Sequence, residues 1–366
     1  MVGLRGIPAT HGGIEGAVDA LGARLVARGN DVTVYARRGY SEERPESYRG
    51  VRLRYLPQID TKHLEAASHT AIAMSHVVAR ERPDIVHVHA VGPALFSFMP
   101  RLARVPCVAT VHALDARREK WGPLASAVLR FGERMAATVP DRSIAVSRLM
   151  RDYLARRYRH PITYIPNGVD IEAMEPPQPV EGLEAGGFVL FLGRIVPEKE
   201  IDTLIRAFRR VPGDLRLGVV GPGTHSDGYV QDVERLAAAD ERVVILGPRY
   251  GGEKTWLLQN AAAFIQPSAV EGLPIALLEA MACGRTCVVS DIPEHLEVID
   301  SGEGPLASVF RVGDEADLAA TLTAALDDRR RRALADAGRL HVLATYGWDP
   351  VAEQTEREYA AALEAA

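Results

Sequence analysis

Short runs of β-branched, leucine and aromatic residues recur along the first half of the chain, with helical patterns between them. The runs are DVTVYA, VRLRYL, DIVHVHA, CVATVHA, SIAVS and ITYIP. Before the first run, Ile14, Val18, Leu21 and Leu25 fall on one helical face, and Gly29 is placed to end that helix. Strands that alternate with helices predict a parallel sheet covered on both faces.

A break in this pattern divides the chain. The stretch MEPPQPVEGLEAGG is rich in proline and glycine, which is typical of a linker. Alternation then restarts with FVLFLG, LRLGVVG, RVVILG, AAFIQPS and TCVVS, and a last helix begins near WDPVAEQ. Between these runs, the spacing of Ile201, Leu204, Ile205 and Phe208 is helical. The pattern predicts two doubly wound, Rossmann-like α/β domains at 1–172 and 187–347, a linker at 173–186, and a terminal helix at 348–366.

Composition places the chain among ordinary globular proteins. Hydrophobic residues make up 47% and charged residues 25% of its 366 residues. The three cysteines, Cys107, Cys283 and Cys287, fit no disulfide framework, and the sequence shows no signal peptide and no membrane-length apolar run. We therefore expect a cytoplasmic protein. Within MVGLRG, only two or three residues precede a turn, fewer than the about five usual for a strand, which predicts either a short edge strand or a natural start further upstream.

The net charge of −5 conceals an uneven distribution. Residues 1–175 carry 25 basic and 18 acidic side chains, whereas residues 176–366 carry 18 and 30. A basic half predicts contact with an anionic membrane or a polyanionic acceptor, and hence peripheral binding at the inner face of a membrane. A solvated helix face accounts for the same arginines equally well. We expect no nucleic-acid partner.

The stretch EGLPIALLEAMACG carries two carboxylates in an otherwise apolar, small-residue helix. Pro274 is well placed as the first helical residue. Glu271 then precedes a helix N-terminus, whose free N–H groups attract anions. Glu279 is flanked by the small residues Ala276 and Cys283, which leaves room for a ligand such as the diol of a ribose. The alternative is a glutamate that pairs with an arginine elsewhere in the chain.

Two further segments suit phosphate groups. Arg194 and Lys199 follow the strand FVLFLG and could bind a diphosphate, although ordinary surface charge is the simpler interpretation. Gly12 and Gly13, in ATHGGIE, precede a helix and allow the backbone to approach a phosphate or sugar closely. No GxGxxG follows the first strand, so the dinucleotide fingerprint is absent.

Histidines cluster at strand ends in the first half. His87 and His89 share one face of a strand, and His112 ends the next, shortly before Asp115. Three histidines could bind zinc, but strand-end histidines more often line a polar pocket, so we predict no metal site. The sequence contains no Asp-x-Asp, which argues against a diphosphate held through a metal of that type.

Five motifs, in the right order, resemble those of glycosyltransferase family 4, the retaining enzymes with the GT-B fold. EGLPIALLEAMACG is similar to the E-x7-E motif, and GRIVPEKEIDTLIRAF to the Arg…Lys segment that binds the donor diphosphate. RGIPATHGGIE resembles the first glycine loop, YIPNGVD the inter-domain stretch, and GWDPVAEQTEREY the last helix. The resemblance covers nearly the whole chain. It implies two Rossmann-like domains facing a central cleft, with the terminal helix crossing back to the first domain.

The resemblance also implies a nucleotide-sugar donor that is bound mainly by the second domain. Glu279 would hold the ribose, and Arg194 and Lys199 would hold the diphosphate. Glu271 would hold the donor sugar, with the backbone of Gly272, Leu273 and Pro274 nearby.

From the first domain, Gly13 would approach the donor, and His112 would contact the sugar near its reacting face. His112 and Glu271 are thus the candidate catalytic residues. The acceptor, a glycan, a lipid-linked sugar or a small molecule, would bind the first domain, with Glu15 and Asp115 as candidate contacts.

The implied reaction is hexosyl or deoxyhexosyl transfer with retention, in bacterial polysaccharide biosynthesis. The nucleotide sugar is a substrate, and neither a cofactor nor a metal is expected. Two alternatives stay open. A sugar-nucleotide epimerase of the same architecture would lack an acceptor surface, and a non-catalytic regulator would bind a nucleotide sugar without releasing nucleoside diphosphate.

Overall fold

The computed structural model describes residues 1–9, 13–59, 61, 65–114, 123–172, 174–223, 227–326 and 328–365. Its contacts divide the chain into two units. The first comprises Met1–Gly168 and Trp348–Ala366, and the second comprises Val169–Gly347. The first boundary thus lies slightly before residue 172. Val169 and Gly347, the first and last residues of the second unit, pair with each other through a parallel bridge.

The first unit contains two groups of strands. Its elements, in chain order, are α1 (Gly13–Ala27), β1 (Thr33–Arg37), β2 (Ser47–Tyr48), β3 (Val51–Leu56), α2 (Glu65–His76), β4 (Val86–His89), α3 (Phe98–Leu102), β5 (Cys107–Val111), α4 (Pro123–Thr138), β6 (Arg142–Ala145), α5 (Arg148–Tyr158) and β7 (Thr163–Tyr164). β1 pairs in parallel with β3, which pairs antiparallel with the short β2. β4, β5, β6 and β7 form a second, parallel sheet in that order.

The N-terminal segment lies between these two groups of strands. Val2 bridges Val88 of β4 in parallel. On the other side, Tyr35 of β1 donates its N–H to the carbonyl oxygen of Met1 at 3.1 Å. The segment is therefore short but central, and the expectation of an edge strand is wrong.

The second unit is a single parallel sheet with its helices. Its elements are β8 (Phe188–Leu192), α6 (Ile201–Phe208), β9 (Arg216–Val220), α7 (Asp227–Ala237), β10 (Val243–Gly247), α8 (Gly251–Asn260), β11 (Ala263–Gln266), α9 (Ile275–Ala282), β12 (Cys287–Ser290), α10 (Pro293–Ile299), β13 (Ser308–Phe310), α11 (Glu315–Ala325) and α12 (Asp328–Thr345). The strand order is β10-β9-β8-β11-β12-β13. Counted from β8, this is the doubly wound 3-2-1-4-5-6 order, which reverses between β8 and β11.

The core of the second unit follows the predicted helical spacing. Ile201, Leu204, Ile205 and Phe208 of α6 are all fully buried. They belong to one hydrophobic cluster with residues of β8 and β9, among them Phe191. Burying a side chain of this size contributes about 1.5–3 kcal/mol. This packing fixes where the loop between β8 and α6 leaves the sheet.

The last helix, α13 (Trp348–Ala365), belongs to the first unit, where it packs against α1, β5 and β6. Trp348 and Val351 join a buried cluster with Leu21 and Leu25 of α1. Gly168 lies directly against the Trp348 ring, where an added Cβ would approach to 2.6 Å. Of the helices that the structure describes, none combines the length and the apolar character needed to cross a membrane.

Candidate active site

The loops after β8 and β11 leave the six-stranded sheet of the second unit where its strand order reverses. Ligands of such sheets bind beyond the carboxyl ends of the strands at this point. The first loop carries Arg194 and Lys199, and the second carries Glu271. A 3.0 Å hydrogen bond from the N–H of Ala269 to the carbonyl oxygen of Glu198 joins the two loops. Two segments that are far apart in sequence are therefore neighbours in this unit.

The Glu271 carboxylate is the most constrained charge at this edge, with 9% of its side chain exposed. Lys199 forms an ion pair with its Oε1. Gln266 Nε2 donates to the same oxygen at 2.5 Å, and Ser268 Oγ donates at 2.7 Å. Burial raises the pKa of Glu271, but the charge of Lys199, assisted by His295, outweighs burial and holds the pKa at about 2. Glu271 is thus fully ionised near neutral pH, and the described donors all reach Oε1.

Glu279 lies inside α9, and its carboxylate also pairs with a lysine. Lys254 of α8 donates from Nζ to Glu279 Oε1 at 2.7 Å. The Glu279 side chain is 17% exposed, so the pair lies near the surface of the unit. The sequence analysis considered an arginine as the partner of Glu279, but the partner in the structure is Lys254. The pair directs the carboxylate and leaves part of it accessible.

Arg194 is the more exposed cation of the first loop. Its guanidinium lies 3.9 Å from the Glu198 carboxylate and is 40% exposed. Ion pairs at this exposure are worth little. An anionic ligand can therefore reach the Arg194 guanidinium.

The turn into α9 differs from the prediction at one residue. Pro274 is not the first helical residue, because its φ of −78° and ψ of 82° are not helical. It precedes the helix, which begins at Ile275, and its carbonyl oxygen accepts the N–H groups of Leu277 and Leu278 at 3.0 and 3.2 Å. Gly272 and the buried Leu273 connect Glu271 to this helix start.

Three histidines form a row in the first unit. The ring centroids of His87 and His89 are 4.1 Å apart, and those of His89 and His112 are 5.4 Å apart. His89 Nδ1 lies 3.2 Å from His112 Nε2. His87 is held by the hydroxyls of Tyr359 and Thr110, each at 2.7 Å.

Burial keeps these imidazoles neutral. It lowers the pKa of His87 and His89 well below the ordinary value, and that of His112 to about 4. His112 can therefore serve as a neutral hydrogen-bonding group near pH 7, not as a cation. In the part of the chain that the structure describes, no three His, Cys, Asp or Glu side chains are grouped so as to hold a metal ion.

The remaining candidate residues of the first unit are Glu15, Gly12, Gly13 and Asp115. Glu15 is buried and accepts from Arg5, at 3.1 Å from its backbone N–H and 3.0 Å from its Nε. Burial raises the pKa of Glu15, but the bonds and charge of Arg5 hold it below the ordinary value. This engagement favours a structural role for Glu15. Gly13 begins α1, whereas Gly12 and Asp115 lie outside the described residues.

Comparison with known families assigns both units. The family model for Glycosyltransferase Family 4 matches residues 11–173, and that for Glycosyl transferases group 1 matches residues 187–328. Alpha-maltose-1-phosphate synthase of Mycolicibacterium smegmatis is 30% identical over 307 residues, which cover 76% of this chain and 79% of that protein. The chain belongs to glycosyltransferase family 4.

Further relatives agree with this assignment. Phosphatidyl-myo-inositol mannosyltransferase of Mycobacterium leprae is 27% identical, over 95% of this chain and 92% of its own. The crystal structure of HepE of Anabaena in complex with UDP and glucose superposes with a TM-score of 0.80 at 16% identity, covering 97% of this chain and 98% of that one. This family 4 glycosyltransferase therefore has the GT-B fold, as the motifs predicted.

Four polar residues of this glycosyltransferase escaped the sequence interpretation: Lys254, Gln266, Ser268 and His295. Lys254 is 25 residues from its partner Glu279 and lies on another helix, so no local spacing reveals the pair. Gln266 and Ser268 were visible as the polar end of the strand AAFIQPS, five and three residues before Glu271. A polar residue that ends an otherwise apolar strand is the signal that could have found them.

Proposed function

We propose that this family 4 glycosyltransferase transfers a hexose, with retention, from a nucleotide-sugar donor to a glycan or lipid-linked acceptor. The observation that carries the proposal is the meeting of Lys199 and Glu271 at the strand-order reversal of the second unit. Opposite charges on adjacent loops suit a donor that presents both a diphosphate and sugar hydroxyls. The UDP and glucose named for HepE, and the lipid acceptor named for the mycobacterial mannosyltransferase, are of these classes.

Each charged residue has one role in the proposal. Arg194 and Lys199 bind the diphosphate, and Glu279 accepts the two ribose hydroxyls. Glu271 accepts hydroxyls of the sugar through Oε2, because described donors already occupy Oε1. Lys254 orients Glu279 from α8.

The proposed reaction breaks the bond between the anomeric carbon and the diphosphate oxygen. The acceptor hydroxyl attacks the same face, and its proton passes to the departing phosphate oxygen. Glu271, with a pKa of about 2, is a poor proton acceptor at neutral pH. This supports a proton transfer to the leaving group. Arg194 and Lys199 stabilise the charge that grows on the diphosphate, and no metal takes part in the proposal.

A screen of nucleotide sugars tests the function. We expect one of UDP-glucose, UDP-galactose or GDP-mannose to bind in calorimetry and to be hydrolysed slowly, with release of free nucleoside diphosphate, in EDTA as well as in Mg²⁺. Proton NMR of the first-formed product should show the retained anomer. An isomerised nucleotide sugar would instead support an epimerase, and binding without turnover would support a regulator.

We also propose that the first unit contacts an anionic membrane, where lipid-linked acceptors reside. Its helices α3, α4 and α5 carry large apolar side chains that stay exposed, with Leu102 at 79% and Phe131 at 55%. α4 packs against α5 and against the turn that precedes α3. Arginines accompany these side chains: Arg101, Arg104, Arg130, Arg134, Arg151, Arg156 and Arg157. Apolar side chains beside cations suit the headgroup region of a membrane.

Sedimentation with vesicles tests the membrane contact. We expect binding to phosphatidylglycerol vesicles at low salt that falls as salt screens the charges. The double variant Leu102→Ser/Phe131→Ser should weaken it about 30-fold or more, because each removed side chain forfeits roughly 1 kcal/mol or more of apolar burial. Leu340→Ser is the matched control, since Leu340 is 72% exposed on the second unit. Equal binding to neutral and anionic vesicles would refute the contact.

A further inference from the structure

A buried polar network extends from Glu271 across the ends of β11 and β12. Gln266 and Ser268 donate to Glu271 Oε1, as described above. The hydroxyl of Ser290, at the end of β12, donates to the carbonyl oxygen of Ser268 at 2.5 Å. Next to it, His295 of α10 places Nδ1 3.0 Å from Ser290 Oγ. Gln266 is 4% exposed, and Ser268, Ser290 and His295 are fully buried.

The network fixes the tautomer of His295. Its Nδ1 also lies 3.1 Å from the carbonyl oxygen of Ser290, which can only accept. Nδ1 therefore carries the proton. Burial lowers the pKa of His295 to about 4 even though the Glu271 charge opposes this, so the ring is neutral at pH 7. Its Nε2 must then be a hydrogen-bond acceptor.

The network also fixes the amide of Gln266. Its partner at 2.5 Å is a carboxylate oxygen, which can only accept, so the nitrogen of the amide faces Glu271. The oxygen, Oε1, is left as an acceptor. Among the described residues, neither Gln266 Oε1 nor His295 Nε2 has a hydrogen-bond partner, although both atoms are buried.

Two buried acceptors without donors beside an ionised carboxylate call for a group that donates, which can be a buried water or a ligand hydroxyl. A diphosphate offers only acceptors and cannot satisfy them. Sugar hydroxyls donate, and one sugar carries several at neighbouring ring carbons. We propose that Gln266 Oε1 and His295 Nε2 accept hydrogen bonds from hydroxyl groups of the transferred sugar beside Glu271, and so determine which sugar is used.

This inference rests on the proposed function and narrows it. A site built to bond a hydroxyl leaves its acceptors unpaired when that hydroxyl is missing, and discriminates strongly against the deoxy sugar. The preferred donor therefore carries hydroxyls at the ring positions that these acceptors face, and a sugar that lacks one of them is used poorly. Glu271, which contacts the sugar in the proposal, acts together with these two residues.

A cycle of variants and deoxy donors provides the test. The donor found in the screen and its monodeoxy analogues are compared by kcat/KM in the parent enzyme and in His295→Asn. Asparagine can keep the donor toward Ser290 but does not reach the position of Nε2. We expect one deoxy analogue to lose about 100-fold or more in the parent, and to lose at most about tenfold in His295→Asn relative to the hydroxylated donor.

The matched control is His295→Gln, whose longer side chain can restore an acceptor at the Nε2 position and should recover most of the discrimination. If His295→Asn does not fold, the same cycle is run with Gln266→Met. A loss that is uniform across all donors would show that these residues only support the fold, and would overturn the inference while leaving the transferase function intact. Absence of turnover in the parent enzyme would instead contradict the proposed function.

Discussion

Replacing Lys199 with methionine is expected to destabilise the second unit by about 3 kcal/mol at neutral pH, because removing one partner of a buried ion pair leaves an uncompensated charge. Glu271 would keep Gln266 and Ser268 but lose its ammonium partner. Urea denaturation measures the loss. Lys254→Met is the matched control, since its partner Glu279 is nearer the solvent, and we expect it to cost less than about 1 kcal/mol.

The pH dependence separates this mechanism from a general packing defect. In the parent, the folded pKa of Glu271 is about 2, below its ordinary value of 4.5. The pair therefore contributes stability that is fully present above about pH 4.5 and is lost as the pH falls toward 2. In Lys199→Met, the main attraction that lowers the pKa of Glu271 is lost while burial still opposes ionisation, so the folded pKa rises from about 2 and ionisation of Glu271 stabilises the fold less. The difference in the free energy of unfolding between the parent and Lys199→Met should therefore become smaller as the pH falls from 7 to about 3.5. An equal deficit at both pH values would contradict the ion-pair explanation.

The hydrophobic pattern predicted most of the fold because long strands of a parallel sheet are buried on both faces. Runs such as FVLFLG and CVATVHA contain enough β-branched or aromatic residues to stand out locally. β2 and β13, with two and three residues, do not, since so short a strand leaves no period to detect. The central place of Val2 escaped prediction for a different reason. Its position depends on pairing with β4, which lies far along the chain.

Positions of the candidate site residues were predictable, whereas their pairings were not. Arg194, Lys199 and Glu271 follow strands, and the ends of parallel strands meet at one edge of a sheet. The order of the strands in the sheet decides which carboxylate pairs with which cation, and local sequence does not reveal that order. Glu15 is an example of a residue for which local sequence suggested a binding role that its contacts do not favour. It precedes the body of a helix near a glycine loop, but its carboxylate is taken by Arg5.

We expect Glu279→Ala to weaken nucleotide binding and Glu271→Ala to slow sugar transfer, so the two variants separate these steps. Glu279→Ala removes a carboxylate that, in the proposal, accepts two ribose hydroxyls. It should weaken the binding of the free nucleoside diphosphate of the donor by about 2 kcal/mol, or about 30-fold, because hydrogen bonds to a charged group are lost. Lys254, then without its 2.7 Å partner, remains on α8 and does not replace the acceptor.

Glu271→Ala should act on the opposite step. The free nucleoside diphosphate carries no sugar, so its affinity should be unchanged or higher, because the substitution releases Lys199 from its ion pair for the diphosphate. Transfer should fall by about 100-fold or more, because the sugar loses its anchor and its alignment for attack. Calorimetry with the free nucleoside diphosphate, beside turnover of the full donor, measures both steps in each variant. Glu279 would be structural if both variants bound the free nucleoside diphosphate as tightly as the parent. If Glu271→Ala instead bound the free nucleoside diphosphate more weakly, the carboxylate would be orienting Lys199 toward the diphosphate and not competing with it.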